Sequence, residues 1–237
     1  MTDSGFVGLA DRLARVRSDI DDAARAAGRE PAELTTIVVT KFHPATLVRD
    51  LFELGVRDFG ENRHQEAESK ATQLRADQPD GLDLRWHFVG QLQSKKARAV
   101  RRYASVIHSL DRDSVLDALA RAADEHTEPI DVLVQVNLTE DPRRGGVVEA
   151  ELDRFVERAV AADGVRVRGV MGVAAIDAEP RAEFARLRGA SERVREVEPS
   201  ATWISGGMSG DFREAILEGA THLRIGTAIT GNRPTAG

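Results

Sequence analysis

The chain of 237 residues contains no cysteine. Disulfides, thiolate metal ligands and cysteine nucleophiles are therefore excluded, and a reducing compartment is permitted. Aromatic residues are scarce at 5%, and the lone tyrosine, Tyr103, is the single candidate for any chemistry that needs a phenol. Positive charge is not in excess: 33 Lys plus Arg against 39 Asp plus Glu leave a formal net charge of −6. No basic field therefore selects nucleic acid or an anionic membrane. No run approaches the roughly 20 apolar residues of a membrane span. The first twenty residues, MTDSGFVGLADRLARVRSDI, carry acidic groups and no apolar core of signal-peptide length. A cytoplasmic protein is expected, with neither nucleic acid nor membrane as partner. The six histidines lie far apart without paired-ligand spacing, so no metal site is expected. No long heptad repeat or bare apolar strip calls for a second copy; a monomer is expected and a weak dimer stays open.

What is present is a core-forming chain, 41% hydrophobic, with strand and helix patterns in alternation. Phe6, Leu9, Leu13, Val16 and Ile20 predict an N-terminal helix at about 5–28, ending near Gly28 and Pro31. Ile37 to Lys41, IVVTK, then reads as a buried strand with one lysine at its carboxyl end. Pro44 to Leu54 is helical, and Val56 to Phe59 is a strand running into Gly60, Glu61, Asn62 and Arg63. A polar helix follows to about Leu74, with a loop through Asp77, Pro79, Asp80 and Gly81. Leu84 to Val89 is a strand, after which Gln91 to Lys95 open a helix. Val106 to Leu110 is a strand, and Asp111 is placed to cap a helix from Ser114 to about Glu125. Strands at Asp131 to Asn137 and Val165 to Val173, with helices over Leu152 to Ala162 and about Phe184 to Val197, continue the pattern. Thr202 to Ser205 and His222 to Ile225 supply the last strands, separated by a helix from Phe212 to Leu217.

Eight strands, each followed by helical sequence except the last, predict a single α/β domain, 1–237, folded as a (β/α)8 barrel. A doubly wound open sheet accepts the same alternation and is the less favoured alternative. In the barrel, the carboxyl ends of the strands would gather Lys41, Asn62, His87, Gln91, Asn137, Met171, Ser205, Met208, Ser209, Arg224, Gly226 and Thr227 near one mouth.

A strand-end lysine is usually solvated or ion-paired. Withdrawn from water, however, its ammonium form is disfavoured and the free amine can attack a carbonyl. Two glycine-containing loops bear on that choice. SGGMSGD at 205–211 and RIGT at 224–227 follow the last two strands, where barrels often bind phosphate on exposed backbone N–H groups. A single such loop would read as a turn. Two of them opposite a strand-end lysine point to a ligand with both a carbonyl and a phosphate, for which pyridoxal 5′-phosphate is the economical choice. A Schiff-base aldolase acting on a sugar phosphate shares these features.

VVTK at 38–41, FGEN at 59–62, WHFVGQLQSKK at 86–96, GMSGD at 207–211 and RIGTAITG at 224–231 together resemble the pyridoxal-phosphate homeostasis protein family, from the first strand almost to the C-terminus. The resemblance implies a fold-type III barrel similar to the N-terminal domain of alanine racemase, without that enzyme's C-terminal β domain. It implies Lys41 as the Schiff-base lysine carrying the cofactor as an aldimine, and Arg224 as partner of the pyridine nitrogen. Ser209, Gly226 and Thr227 would hold the phosphate with the Met208 backbone nearby, and Asn62 would lie beside the ring. An arginine can only donate, so it would face an unprotonated pyridine nitrogen and weaken the ring as an electron sink.

Phe42 and His43 after the lysine, and the small residues around GMS, depart from the family pattern and bear on the rim rather than the core motif. A cofactor-binding role in vitamin B6 and amino-acid balance, without a firmly assigned catalytic reaction, is implied; the first reading is a protein that holds the cofactor on Lys41 and buffers it or releases it to dependent apo-enzymes without turnover. An amino-acid racemase stays open as the alternative, although Tyr103 has no evident route to the mouth. Lys95, Lys96, Arg98, Arg101 and Arg102 form a basic helix, usually a solvated face but able to receive phosphate. Arg143 and Arg144 lie on a loop that could gate the mouth.

Overall fold

An N-terminal helix forms inside the expected span of about 5–28, starting at Leu9 with Gly8 at its N-cap. In the computed structural model, which describes residues 8–77, 82–123, 128–139, 141, 144–175 and 177–232, α1 runs over Leu9–Ala26 and buries Leu9, Leu13, Val16 and Ile20. Its C-terminus is closed by Gly28 at φ 71. The Gly28 N–H donates to the Arg25 carbonyl and the Arg29 N–H to that of Ala24, which satisfies carbonyls a helix end leaves open. Phe6 lies outside the described residues, as do residues 79–81, Glu125, Pro142 and Arg143.

Eight parallel strands follow: β1 Thr35–Val39, β2 Asp58–Glu61, β3 Arg85–Phe88, β4 Val106–Leu110, β5 Ile130–Gln135, β6 Val165–Met171, β7 Trp203–Ser205 and β8 His222–Ile225. They pair in chain order, and β1 closes on β8 with Thr35 opposite His222 through Val38 opposite Ile225. The sheet is therefore a closed barrel, not an open doubly wound sheet. The helices between strands are α2 Ala45–Glu53, α3 His64–Asp77, α4 Ala97–Arg101, α5 Asp113–Arg121, α6 Leu152–Val160, α7 Pro180–Val197 and α8 Phe212–Leu217. A four-residue α9, Thr227–Thr230, follows the last strand. The main apolar core lies between the strands' outer faces and these helices, where Phe59, Leu47, Leu92, Leu119 and Phe155 are buried. Among the described residues no helix is long and apolar enough to cross a membrane.

Several expected boundaries move. β1 ends at Val39, two residues before Lys41, because the chain turns: the His43 N–H donates to the Thr40 carbonyl and Phe42 sits at φ 69. The helix expected at Gln91 begins with a 3-10 turn at Ser94–Lys96. Asp111 does not cap α5. The cap position is Arg112, which forms no side-chain cap, and Asp111 instead accepts a 2.5 Å bond from the Arg112 guanidinium.

Candidate functional site

At the carboxyl ends of the strands lies a cavity of about 340 Å³, within the range of small-molecule sites. Lys41, Asn62, Met208, Ser209, Arg224, Gly226 and Thr227 all line it, together with Val39, Val89, Val173 and Gly210. The three valines are apolar, with no chemistry for the sequence to advertise, whereas Gly210 belongs to the 205–211 loop already read for phosphate. Among the described residues, no backbone acceptor takes the N–H groups of Ser209, Gly210 or Thr227, which leaves donors free on two loops. The Met208 N–H, by contrast, donates to the Asp211 carboxylate at 2.6 Å, and the Met208 carbonyl accepts from Asp211 and Phe212. Met208 thus has only its half-exposed thioether to offer a ligand.

Gly90 shapes the same wall. A Cβ there would lie 2.0 Å from the Asn62 carbonyl oxygen, so the approach that places Asn62 at the cavity requires glycine.

Lys41 is half-buried and is held from below. Lys70, on α3, is almost fully buried and donates to Glu61 Oε1 at 2.7 Å, Glu66 Oε1 at 2.8 Å and the Thr40 carbonyl at 2.8 Å. The Thr40 hydroxyl donates to Glu61 Oε1 at 2.6 Å, and Glu66 also accepts from the Phe42 N–H. Both neighbours of Lys41 are therefore tied to one buried charge cluster, which offsets the roughly 1–2 kcal/mol cost of the left-handed Phe42. Burial pushes the Glu61 carboxyl up, with Lys70 and Thr40 acting against it.

Arg224 is buried, and its desolvation lowers the guanidinium to about 10, with Asp211 opposing; at neutral pH it remains a cation and a pure donor. It donates to Ser205 Oγ at 2.5 Å and to the Gly172 carbonyl at 2.8 Å.

Other residues expected at the mouth are placed elsewhere. For His87 the sequence leaves a core histidine held by hydrogen bonds as open as a mouth residue, and the structure gives the former: its ring lies in the barrel lumen, bonded to Asp58 and His108, because β3 turns that position inward below the cavity. Ser205 is fully buried beneath Arg224. Met171 packs inside the barrel with Val106 and Leu133. Asn137 ties the loop after β5, donating to the Asp141 and Arg144 carbonyls at 3.1 and 3.2 Å. Gln91 and Lys96 line a neighbouring recess of about 180 Å³ that shares Asn62. In the basic stretch, Arg101 is committed to the Gly164 and Glu128 carbonyls, whereas Lys95, Arg98 and Arg102 are exposed. Tyr103 stacks on His64, 6.0 Å between centroids, and lines a separate small cavity with Leu74, Leu84 and Trp86.

Residues 12–234 match the family described as alanine racemase, N-terminal domain. The pyridoxal phosphate homeostasis protein of Mycobacterium tuberculosis is 38% identical, over 95% of this chain and 93% of the relative. PipY of Synechococcus elongatus, solved with PLP bound, is 34% identical with a TM-score of 0.81, over 94% of this chain and all of that one. Alanine racemase from Corynebacterium glutamicum shares the fold at 18% identity and a TM-score of 0.68, over 95% of this chain and 63% of its own.

Proposed function

We propose a function from one premise, that this chain belongs to the pyridoxal phosphate homeostasis proteins within the alanine racemase N-terminal domain family. It binds pyridoxal 5′-phosphate in the mouth cavity, buffers it inside the cell and yields it to apo-enzymes, without catalytic turnover of its own. The observation that carries this reading is the convergence of a lysine, a buried arginine and two loops with free N–H donors on one 340 Å³ cavity. Bound there, the cofactor would supply an aldehyde carbon, which the Lys41 amine would attack with loss of water. The N–H groups of Ser209, Gly210 and Thr227, with the two hydroxyls, would hold the phosphate. Arg224 would donate to the ring nitrogen and so keep it from accepting a proton. Asn62 would lie beside the ring substituents.

Two-base racemisation needs an acid or base on each face of the substrate. Apart from Lys41 and Arg224, no titratable side chain lines the cavity among the described residues, and Tyr103 opens on a different one. Residues 1–237 act in this reading as one functional domain, as a monomer.

The test is a pair of assays on the loaded protein. Reactivation of a PLP-dependent apo-enzyme should proceed on mixing, and L-alanine or L-serine should keep its configuration over hours. Sustained formation of the D-isomer would replace this reading with a racemase.

A further inference from the structure

The lumen of the barrel carries an unbroken line of polar contacts from the mouth to the opposite end. Arg224 of β8 donates to Ser205 of β7 at 2.5 Å, and Ser205 Oγ lies 2.9 Å from His108 Nδ1 on β4. His108 Nε2 is 2.9 Å from His87 Nδ1 on β3, and His87 Nε2 is 2.9 Å from Asp58 Oδ1 on β2. Strands β4 and β7 are not neighbours, so the bond between them crosses the lumen. Asp58, held also by Arg85 at 2.7 Å, lines a cavity of about 560 Å³ at the amino-terminal ends of the strands, with Thr35 and His222.

The direction of every bond follows from one end. A guanidinium only donates, so Ser205 accepts from Arg224. Ser205 is fully buried, and among the described residues His108 Nδ1 is the other partner of its hydroxyl, so the hydroxyl proton goes to that nitrogen. His108 then carries its proton on Nε2 and donates to His87 Nδ1. His87 in turn carries its proton on Nε2 and donates to Asp58. Each group is satisfied, and all four bonds point from the cation to the carboxylate. Burial, followed by His87, Arg224 and His222, holds the His108 imidazole well below its ordinary value, in keeping with a neutral ring. Burial pushes the Asp58 carboxyl up, but its bonds to His87 and Arg85 outweigh that and hold it down, in keeping with an anion.

We propose that Ser205, His108, His87 and Asp58 are positioning residues: a one-way hydrogen-bond relay that holds the Arg224 guanidinium at the mouth and links its charge to a carboxylate at the far end of the barrel. No proton has to move along it. The part concerning bound cofactor rests on Arg224 facing the ring nitrogen; the relay itself does not.

Long-range proton–nitrogen NMR of histidine-labelled protein without cofactor reads the relay directly. It should show both His87 and His108 as neutral rings protonated on Nε2. His108 protonated on Nδ1, or a doubly protonated His87, would overturn the relay. For its positioning role, Ser205→Ala should broaden the Arg224 Nε–H resonance and raise PLP release about tenfold, the loss of roughly one charged hydrogen bond. Ser205→Thr should restore both. Asp58→Asn changes only the far end and should shift the visible spectrum of bound PLP in the same direction as Ser205→Ala. If that spectrum and the Arg224 resonance stay as in the parent protein in both the alanine and asparagine variants, the relay does not position Arg224. Failure of the unaltered protein to bind PLP would sink the reading of the mouth, while the tautomers and the Arg224 resonance would still decide the relay.

Discussion

Lys70→Met isolates the cluster that fixes the loop around Lys41. Lys70 and Glu61 are 5% and 1% exposed, so truncating the cation leaves a carboxylate buried with, among the described residues, only the Thr40 hydroxyl on the same oxygen. Breaking one side of a buried pair costs about 3–5 kcal/mol. Glu61 limits that loss by taking a proton, since burial already raises its carboxyl and removing Lys70 raises it further. A carboxyl raised in the folded state contributes stability that is present at acid pH and lost as pH rises through its folded value. Relative to the parent protein, the variant should therefore lose about 3 kcal/mol at pH 8, or about 6–12 °C in Tm for a chain of this size. At pH 5 the loss should be smaller, because Glu61 takes up a proton more readily there. Glu61→Leu with Lys70→Met, which removes both charges, should recover much of the stability. Thermal unfolding of the three proteins at both pH values is sufficient. A Tm loss under about 2 °C at pH 8, or an equal loss at both pH values, would refute the reasoning.

Burial holds the His222 imidazole at about 3, so its neutral form stabilises the fold above the unfolded value near 6.5, and that contribution drains as pH falls toward 3. His222→Gln should remove about 2 kcal/mol of the stability difference between pH 7 and pH 5, measured by urea unfolding; an unchanged difference would contradict the assignment. Gly90→Ala should destabilise by about 2 kcal/mol or more through the Asn62 carbonyl, whereas Gly189→Ala, on open helix surface in α7, should stabilise by about 0.5–1 kcal/mol. Equal effects would mean that the close approach at Gly90 is not constraining. Arg224→Gln should cut PLP retention more than about tenfold while borohydride still traps ligand on Lys41; unchanged retention would remove Arg224 from the ring contact.

The barrel was legible because strand and helix periods alternate eight times and His222 to Ile225 and Phe212 to Leu217 are bounded by their own patterns. The cavity was legible because a lysine and glycines just past strand ends, with an arginine in the last strand, have few structural uses there. Closure was less visible: His87 and Ser205 sit on alternating strands, and which face turns inward depends on registers between distant strands. Lys70 looked like one more charge on a polar helix, since its burial depends on Glu61 arriving from β2. The Met208 N–H looked available because the Asp211 carboxylate that takes it belongs to the same short loop and could as well have capped α8.

The most direct test of the central claim is borohydride reduction of the purified protein after addition of PLP, with the modified residue located by mass mapping and the visible spectrum followed throughout. The account predicts an imine band that disappears on reduction, a single adduct on Lys41, and neither in Lys41→Ala. Adducts scattered over surface lysines, or none, would contradict it.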